Sequence, residues 1–155
     1  MANTDSTTRT SEELVQRIES ELRKRGIDTL LMISREDSDP VLARILDTHV
    51  VVQTAVLFNA DGRHVVLTGR TDAMAYEAFP FFDRIIAMED DFAVEFPRVF
   101  DETNPDTLAL NICEEDAQLD GLRWGLYAEL EDIVGEARLH SIEVSSADLL
   151  RHVFA

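Results

Sequence analysis

Apolar residues change their spacing several times along the chain, and each change marks an element. Leu14, Ile18 and Leu22 fall at i, i+4 and i+8, behind a capping box of Thr10 and Glu13 and ahead of Arg23, Lys24 and Arg25, which complement the dipole before Gly26. This predicts a helix over 10–25. Residues 1–9 are polar and without period, as in a loose tail. Residues 27–33 (IDTLLMI) form a short, nearly continuous apolar run, the pattern of a strand covered on both faces. Asp39 before Pro40 reads as an N-cap with proline in the first turn, and Val41, Leu42, Ile45 and Leu46 line one face of a short helix. Two β-rich runs, 50–58 and 64–68, flank the turn sequence Asn59-Ala60-Asp61-Gly62 and predict an antiparallel hairpin.

Beyond the hairpin, helices are expected over 71–79, 91–100 (with Pro97), 119–134 (closed by Gly135) and 146–154 (capped by Ser145 or Ser146). Strands are expected over 84–88, 107–112 and 138–144. Six strands alternating with helices, with one hairpin inside the series, predict a three-layer α/β/α sandwich on a six-stranded mixed sheet. At 155 residues this is one domain, 10–155, behind the tail.

Charge narrows the partners. Thirty-one Asp and Glu face fourteen basic residues, giving a net charge of −17, and Lys24 is the only lysine. A basic surface able to release counterions from nucleic acid cannot be assembled, and an anionic membrane is repelled. Acid excess with lysine nearly absent matches the surface of a protein from a salt-loving organism. No apolar run reaches 18 residues, no basic-then-apolar leader follows Met1, and Cys113 is alone. The expectation is a cytoplasmic protein without a disulfide.

Catalytic signatures are missing. The sequence has no phosphate loop, dinucleotide-binding turn, H-E-x-x-H helix or nucleophile elbow. His49, His64, His140 and His152 lie in different elements with no ligand-spaced neighbour, and they read as ordinary surface or strand residues. Glu89-Asp90-Asp91 and Glu114-Glu115-Asp116 read as solvated surface or helix-start charge, and Cys113 as a small buried side chain.

Several motifs together resemble one family. Gly26 to Met32 (G-I-D-T-L-L-M) after a capped helix, G-R-T-D-A at Gly69 to Ala73, F-D-R-I-I at Phe82 to Ile86, and N-I-C-E-E-D-A-Q-L-D-G-L-R-W-G-L-Y at Asn111 to Tyr127 are similar to the amino-terminal domains of the Xaa-Pro aminopeptidase, prolidase and creatinase family. Ser146 to Arg151 looks like the segment where that family leaves its first domain. The resemblance runs from Glu12 to Ala155. It departs at 34–48, where many members carry N-x-x-Y-L-T-G, and at Cys113, where a serine is expected.

The resemblance implies a ribonuclease H-like domain without catalytic or metal-binding residues of its own. In the family, two divalent ions (manganese, cobalt or zinc) sit in a carboxy-terminal pita-bread domain, expected here after residue 155. The implied role is docking against that catalytic domain and a second subunit, and shaping the substrate pocket of a metal-dependent Xaa-Pro hydrolase. The alternatives are a stand-alone binding module that has lost peptidase function, or the same domain of a creatinase-like amidinohydrolase. Among the motif residues, Gly69 and Gly121 are expected to relieve turns, Asp72 and Asp120 to cap following helices, and Trp124 with Tyr127 to pack on the sheet. Asn111 and Gly125 belong to the same structural set. Arg70, before a helix start, is the candidate for an interface or substrate-side contact. The acidic composition itself makes a prediction: thermal unfolding followed from low to molar KCl rises in midpoint with salt, and equal or greater stability at low salt contradicts a salt-adapted surface.

Overall fold

A computed structural model describes residues 2–155, with side chains from Thr10 onward. Six strands form one sheet in the order β4-β3-β2-β1-β5-β6. They are β1 (Thr29–Ser34), β2 (Thr54–Asn59), β3 (His64–Thr68), β4 (Phe82–Ala87), β5 (Leu108–Leu110) and β6 (Glu143–Ser145). The pairs β1–β2 and β2–β3 are antiparallel, and β1–β5, β5–β6 and β3–β4 are parallel. Only β2 therefore runs against the other five. This is the mixed sheet expected from one hairpin set among crossovers.

Alternation along the central strands builds two cores. Leu30 and Met32 of β1, with Val56 and Phe58 of β2, face α1 (Ala2–Arg25), α2 (Pro40–Leu46), α3 (Arg70–Tyr76) and α7 (Ala147–Val153). Leu31 and Ile33, with Ala55 and Leu57, face α4 (Phe92–Thr103), α5 (Trp124–Val134) and α6 (Glu136–Ile142). Every residue of β1, β2 and β3 is buried. Such strands must be apolar throughout, apart from groups that pair with one another. His64 is one of these. Its Nδ1 accepts the Asn59 N–H at 3.0 Å, so the proton sits on Nε2 and is donated to Glu19 Oε1 of α1 at 2.5 Å. A neutral ring thereby joins the hairpin to the first helix.

Several boundaries differ from expectation. Helix α1 extends back to Ala2, through the stretch expected as a tail, so Thr10 lies inside it instead of capping it. Gly26 ends the helix at φ +67, the left-handed conformation glycine adopts most readily. Strand β2 starts at Thr54 and not at Val50, because the backbone groups of residues 50–52 are taken by side chains and loops outside the sheet. The stretch expected as one helix over 119–134 is a 3₁₀ turn (Ala117–Leu119), a loop and α5, since Leu122 N–H is drawn back to the Asn111 carbonyl at 2.9 Å. Residues 138–144, expected as a strand, are mostly α6. Leu139 and Ile142 share a face at i, i+3 against the second core, and only 143–145 are extended. Gly135, at φ +96, lets α6 follow α5 at once.

Candidate functional site

Five strands end on the same side of the sheet, and the loops that leave them carry most of the polar residues with structural consequence. At the end of β1, Ser34 Oγ accepts the Asp39 N–H at 3.2 Å. Asp39 caps α2 as its sequence implied, accepting from Val41 N at 3.0 Å and Leu42 N at 3.4 Å. It also does something that no local pattern signals. From the end of β5, Asn111 Nδ2 donates to both Asp39 carboxylate oxygens, each at 3.0 Å. Asn111 Oδ1 in turn accepts from Ser146 Oγ, ahead of α7, at 3.4 Å. Asp39 and Asn111 are each only 1% exposed. Burial raises the Asp39 pKa, against the pull of its hydrogen bonds from Asn111, Val41 and Leu42.

Gly121 closes this cluster. A Cβ there would lie 2.2 Å from Asp39 Oδ1 and 2.5 Å from Asn111 Nδ2, so glycine is required by close approach and not by turn conformation. Gly69 is a second case of the same kind: its φ is an ordinary −73, but a Cβ would meet Val52 Cγ2 at 2.6 Å. Neither glycine relieves a turn in the sense expected. Gly125 has nothing within 4 Å of a Cβ, so no packing demands glycine there.

The two aspartates expected as caps are used otherwise. Asp72 sits in the first turn of α3 and accepts from Val51 N and Val52 N, both at 3.3 Å, which ties the loop before β2 to the helix. Asp120 accepts from Cys113 N at 3.1 Å, and α5 begins after Arg123 with no side-chain cap. Trp124 does not pack on the sheet: as the first residue of α5 it is 82% exposed. Tyr127 does reach the second core, and its hydroxyl donates to Glu143 of β6 at 2.8 and 2.9 Å. Arg70 opens α3 with an exposed side chain that makes no hydrogen bond or ion pair among the described residues.

Beside the Asp39–Asn111 cluster, a groove of about 730 Å³ runs between the ends of β5 and β6. Ile112, Cys113, Glu114, Asp120, Ser145 and Arg151 are among the residues that line it. Cys113 is half-buried. Arg151 is held by Asp148 at 2.9 Å and by Asp116 at 4.0 Å.

The acidic runs are similarly engaged. Glu95 accepts from Glu89 N and Asp90 N, and Asp116 caps the 3₁₀ turn through Gln118 N. Among the described residues, no group of three or more His, Cys, Asp or Glu is placed to hold a metal ion. The two-metal donor set of the family has no counterpart in them. Three histidines do meet carboxylates from distant positions, His49 with Asp37, His64 with Glu19 and His140 with Glu131. These contacts are nonlocal and left no trace in the sequence spacing.

No protein-family model and no curated protein matches the sequence. Solved structures do match the architecture just described. The chain is similar to the creatinase/prolidase N-terminal domain of an X-Pro dipeptidase from Streptococcus pyogenes, with 12% identity and a TM-score of 0.64, over 91% of this chain and 98% of that one. It has the creatinase/prolidase N-terminal fold.

Two longer chains carry the same fold. The X-Pro aminopeptidase from Thermotoga maritima matches at 15% identity and a TM-score of 0.67, over 90% of this chain and 35% of that one. For the Xaa-Pro dipeptidase from Bacillus anthracis the identity is 16% and the TM-score 0.62, over 90% and 34%. The creatinase/prolidase N-terminal fold thus fills this chain, which spans about a third of the length of those two proteins. No helix among the described residues is long and apolar enough to cross a membrane.

Carboxylates on the two sides of the Ser34–Val50 loop respond oppositely to the fold, and pH separates them. Asp37 accepts from Val50 N and from His49, which lowers its pKa below 3.8. Its contribution to stability is present above 3.8 and is lost as pH falls through the folded value. Asp39 is raised, so between 3.8 and its folded value the unfolded chain ionises first, and rising pH costs stability through this group. A carboxyl ¹³C NMR titration is expected to place the Asp37 midpoint below 3.8 and the Asp39 midpoint above it. The reverse order contradicts the geometry.

Proposed function

We propose that this chain is the non-catalytic amino-terminal domain of a metal-dependent Xaa-Pro peptidase, an aminopeptidase or a dipeptidase. One observation carries the reading: the fold matches a solved N-terminal domain over 98% of that domain's length, yet matches larger peptidase chains over only about a third of theirs. In this reading hydrolysis belongs to polypeptide outside the 155 residues. There, two divalent ions, manganese, cobalt or zinc, supply the activated water.

The chain's own part is to dock. It would pack against its catalytic domain and a second subunit, and present the loop end of the sheet to the substrate pocket. Arg70 suits that task, because an exposed guanidinium with no internal partner is free to meet a carboxylate of a peptide or of a facing surface. The buried Asp39–Asn111 bridge fixes the loops around that end, and has no open face for substrate. The expected outcome of assaying the purified 155-residue chain with manganese or cobalt on Xaa-Pro dipeptides and tripeptides is no hydrolysis. Turnover that tracks the chain through successive purification steps contradicts the assignment.

A further inference from the structure

The outer face of α3 is unlike the rest of this acidic surface. Arg70, Thr71, Met74, Ala75, Glu77 and Ala78 are exposed along α3 and the turn after it, and only one of the six is acidic, in a chain of net charge −17. Arg70, Met74 and Glu77 stand at i, i+4 and i+7, which places them on a single stripe. Met74 is 72% exposed, and neither Arg70 nor Glu77 has a hydrogen bond or ion pair among the described residues. The stripe is apolar at its centre and carries opposite charges at its two ends.

Beside it stands a pair of valines held rigidly in water. Val51 is 61% exposed and Val52 42%. Asp72, on α3 itself, accepts both of their N–H groups. The Val51 carbonyl accepts from Glu36 N at 3.1 Å, and the Val50 carbonyl from Asp37 N at 2.8 Å. Glu36 and Asp37 hold left-handed conformations, φ +51 and +55, that only a surrounding network sustains. Gly69 leaves room for Val52, as described. Strain and two carboxylates are committed to fixing apolar side chains that gain no burial from it. Fixing them in advance lowers the cost of ordering them against a partner.

We infer that this face of α3, with Val51 and Val52 beside it, docks a second copy of the chain about a two-fold axis passing near Met74. The stripe is its own complement. Antiparallel apposition of two such helices sets Met74 against the partner's Met74, Arg70 against the partner's Glu77, and Glu77 against the partner's Arg70. Few side chains contribute, so the area falls below the roughly 800 Å² per partner of a standard interface, and association is weak and reversible. Two chains of charge −17 repel, so added salt strengthens an apolar-centred contact of this kind. The inference rests on the domain being a docking module, and adds the surface and the geometry of the pair.

Sedimentation equilibrium of the 155-residue chain, up to about 1 mM protein at about 0.1 and 2 M KCl, tests it. The expected result is a monomer–dimer equilibrium that tightens in the higher salt. Met74→Asp and Val51→Asp each shift it at least about tenfold toward monomer. Arg70→Glu weakens it, and Arg70→Glu combined with Glu77→Arg restores it, which separates a specific contact from salting-out or misfolding. A monomer under all conditions, a dimer indifferent to Met74→Asp, or a charge swap that fails to restore association overturns the inference. Those outcomes leave the assignment as a peptidase domain standing, since that is decided by hydrolysis and not by association.

Discussion

One buried carboxylate organises the functional end of this domain. Asp39 is almost fully excluded from water and has four donors in reach: two backbone N–H groups at the start of α2, and the Asn111 amide approaching both of its oxygens. A carboxylate left unpaired at such a site would be strongly destabilising. The groups that satisfy it come from β1, α2 and β5, and Ser146 extends the network to α7. These elements are far apart in sequence, so the loops at this end are fixed relative to one another by a single polar network, and not by hydrophobic packing alone. Gly121 is part of the same arrangement, because any side chain there would occupy the space of the Asp39–Asn111 bridge.

Much of the architecture could be read from the residues before the structure was seen. The Asp39-Pro40 start of α2, the Gly26 stop of α1 and the hairpin around 59–62 rest on local chemistry, and each lies where the local pattern put it. Misreadings arose where a long-range contact overrode a local preference. Val50 to Gln53 look like strand, but Asp37, Glu36 and Asp72 capture their backbone groups. Residues 138–142 alternate well enough for a strand, but Leu139 and Ile142 find a helical face against the second core. Asp72 and Asp120 have cap-like positions and bind loops instead, a choice made by neighbours some 20 and 7 residues away in the chain.

The candidate site was less legible than the fold. Asn111, Gly121 and Arg70 stood out as motif residues, but the contact that gives Asn111 and Gly121 their meaning spans 72 positions and has no spacing signature. Trp124 shows the opposite limit: a large aromatic in an apolar-looking motif lies in water. The exposed apolar residues Val51, Val52, Met74 and Trp124 occupy the loops and helix starts at the end where five strands finish. Investment in polar bonding and an apolar outer surface coincide there, which is the combination expected of a scaffold that positions itself against other polypeptide.

The account depends on the Asp39–Asn111 bridge holding that end together, and equilibrium unfolding in urea measures this most directly. Asn111→Ala, which leaves the buried carboxylate short of its donor, is predicted to lose about 2–3 kcal/mol of stability. Gly121→Ala, which pushes a methyl group into the bridge, is predicted to lose about 1–3 kcal/mol. Stabilities for both variants within about 0.5 kcal/mol of the parent chain would contradict the central role given to this interaction.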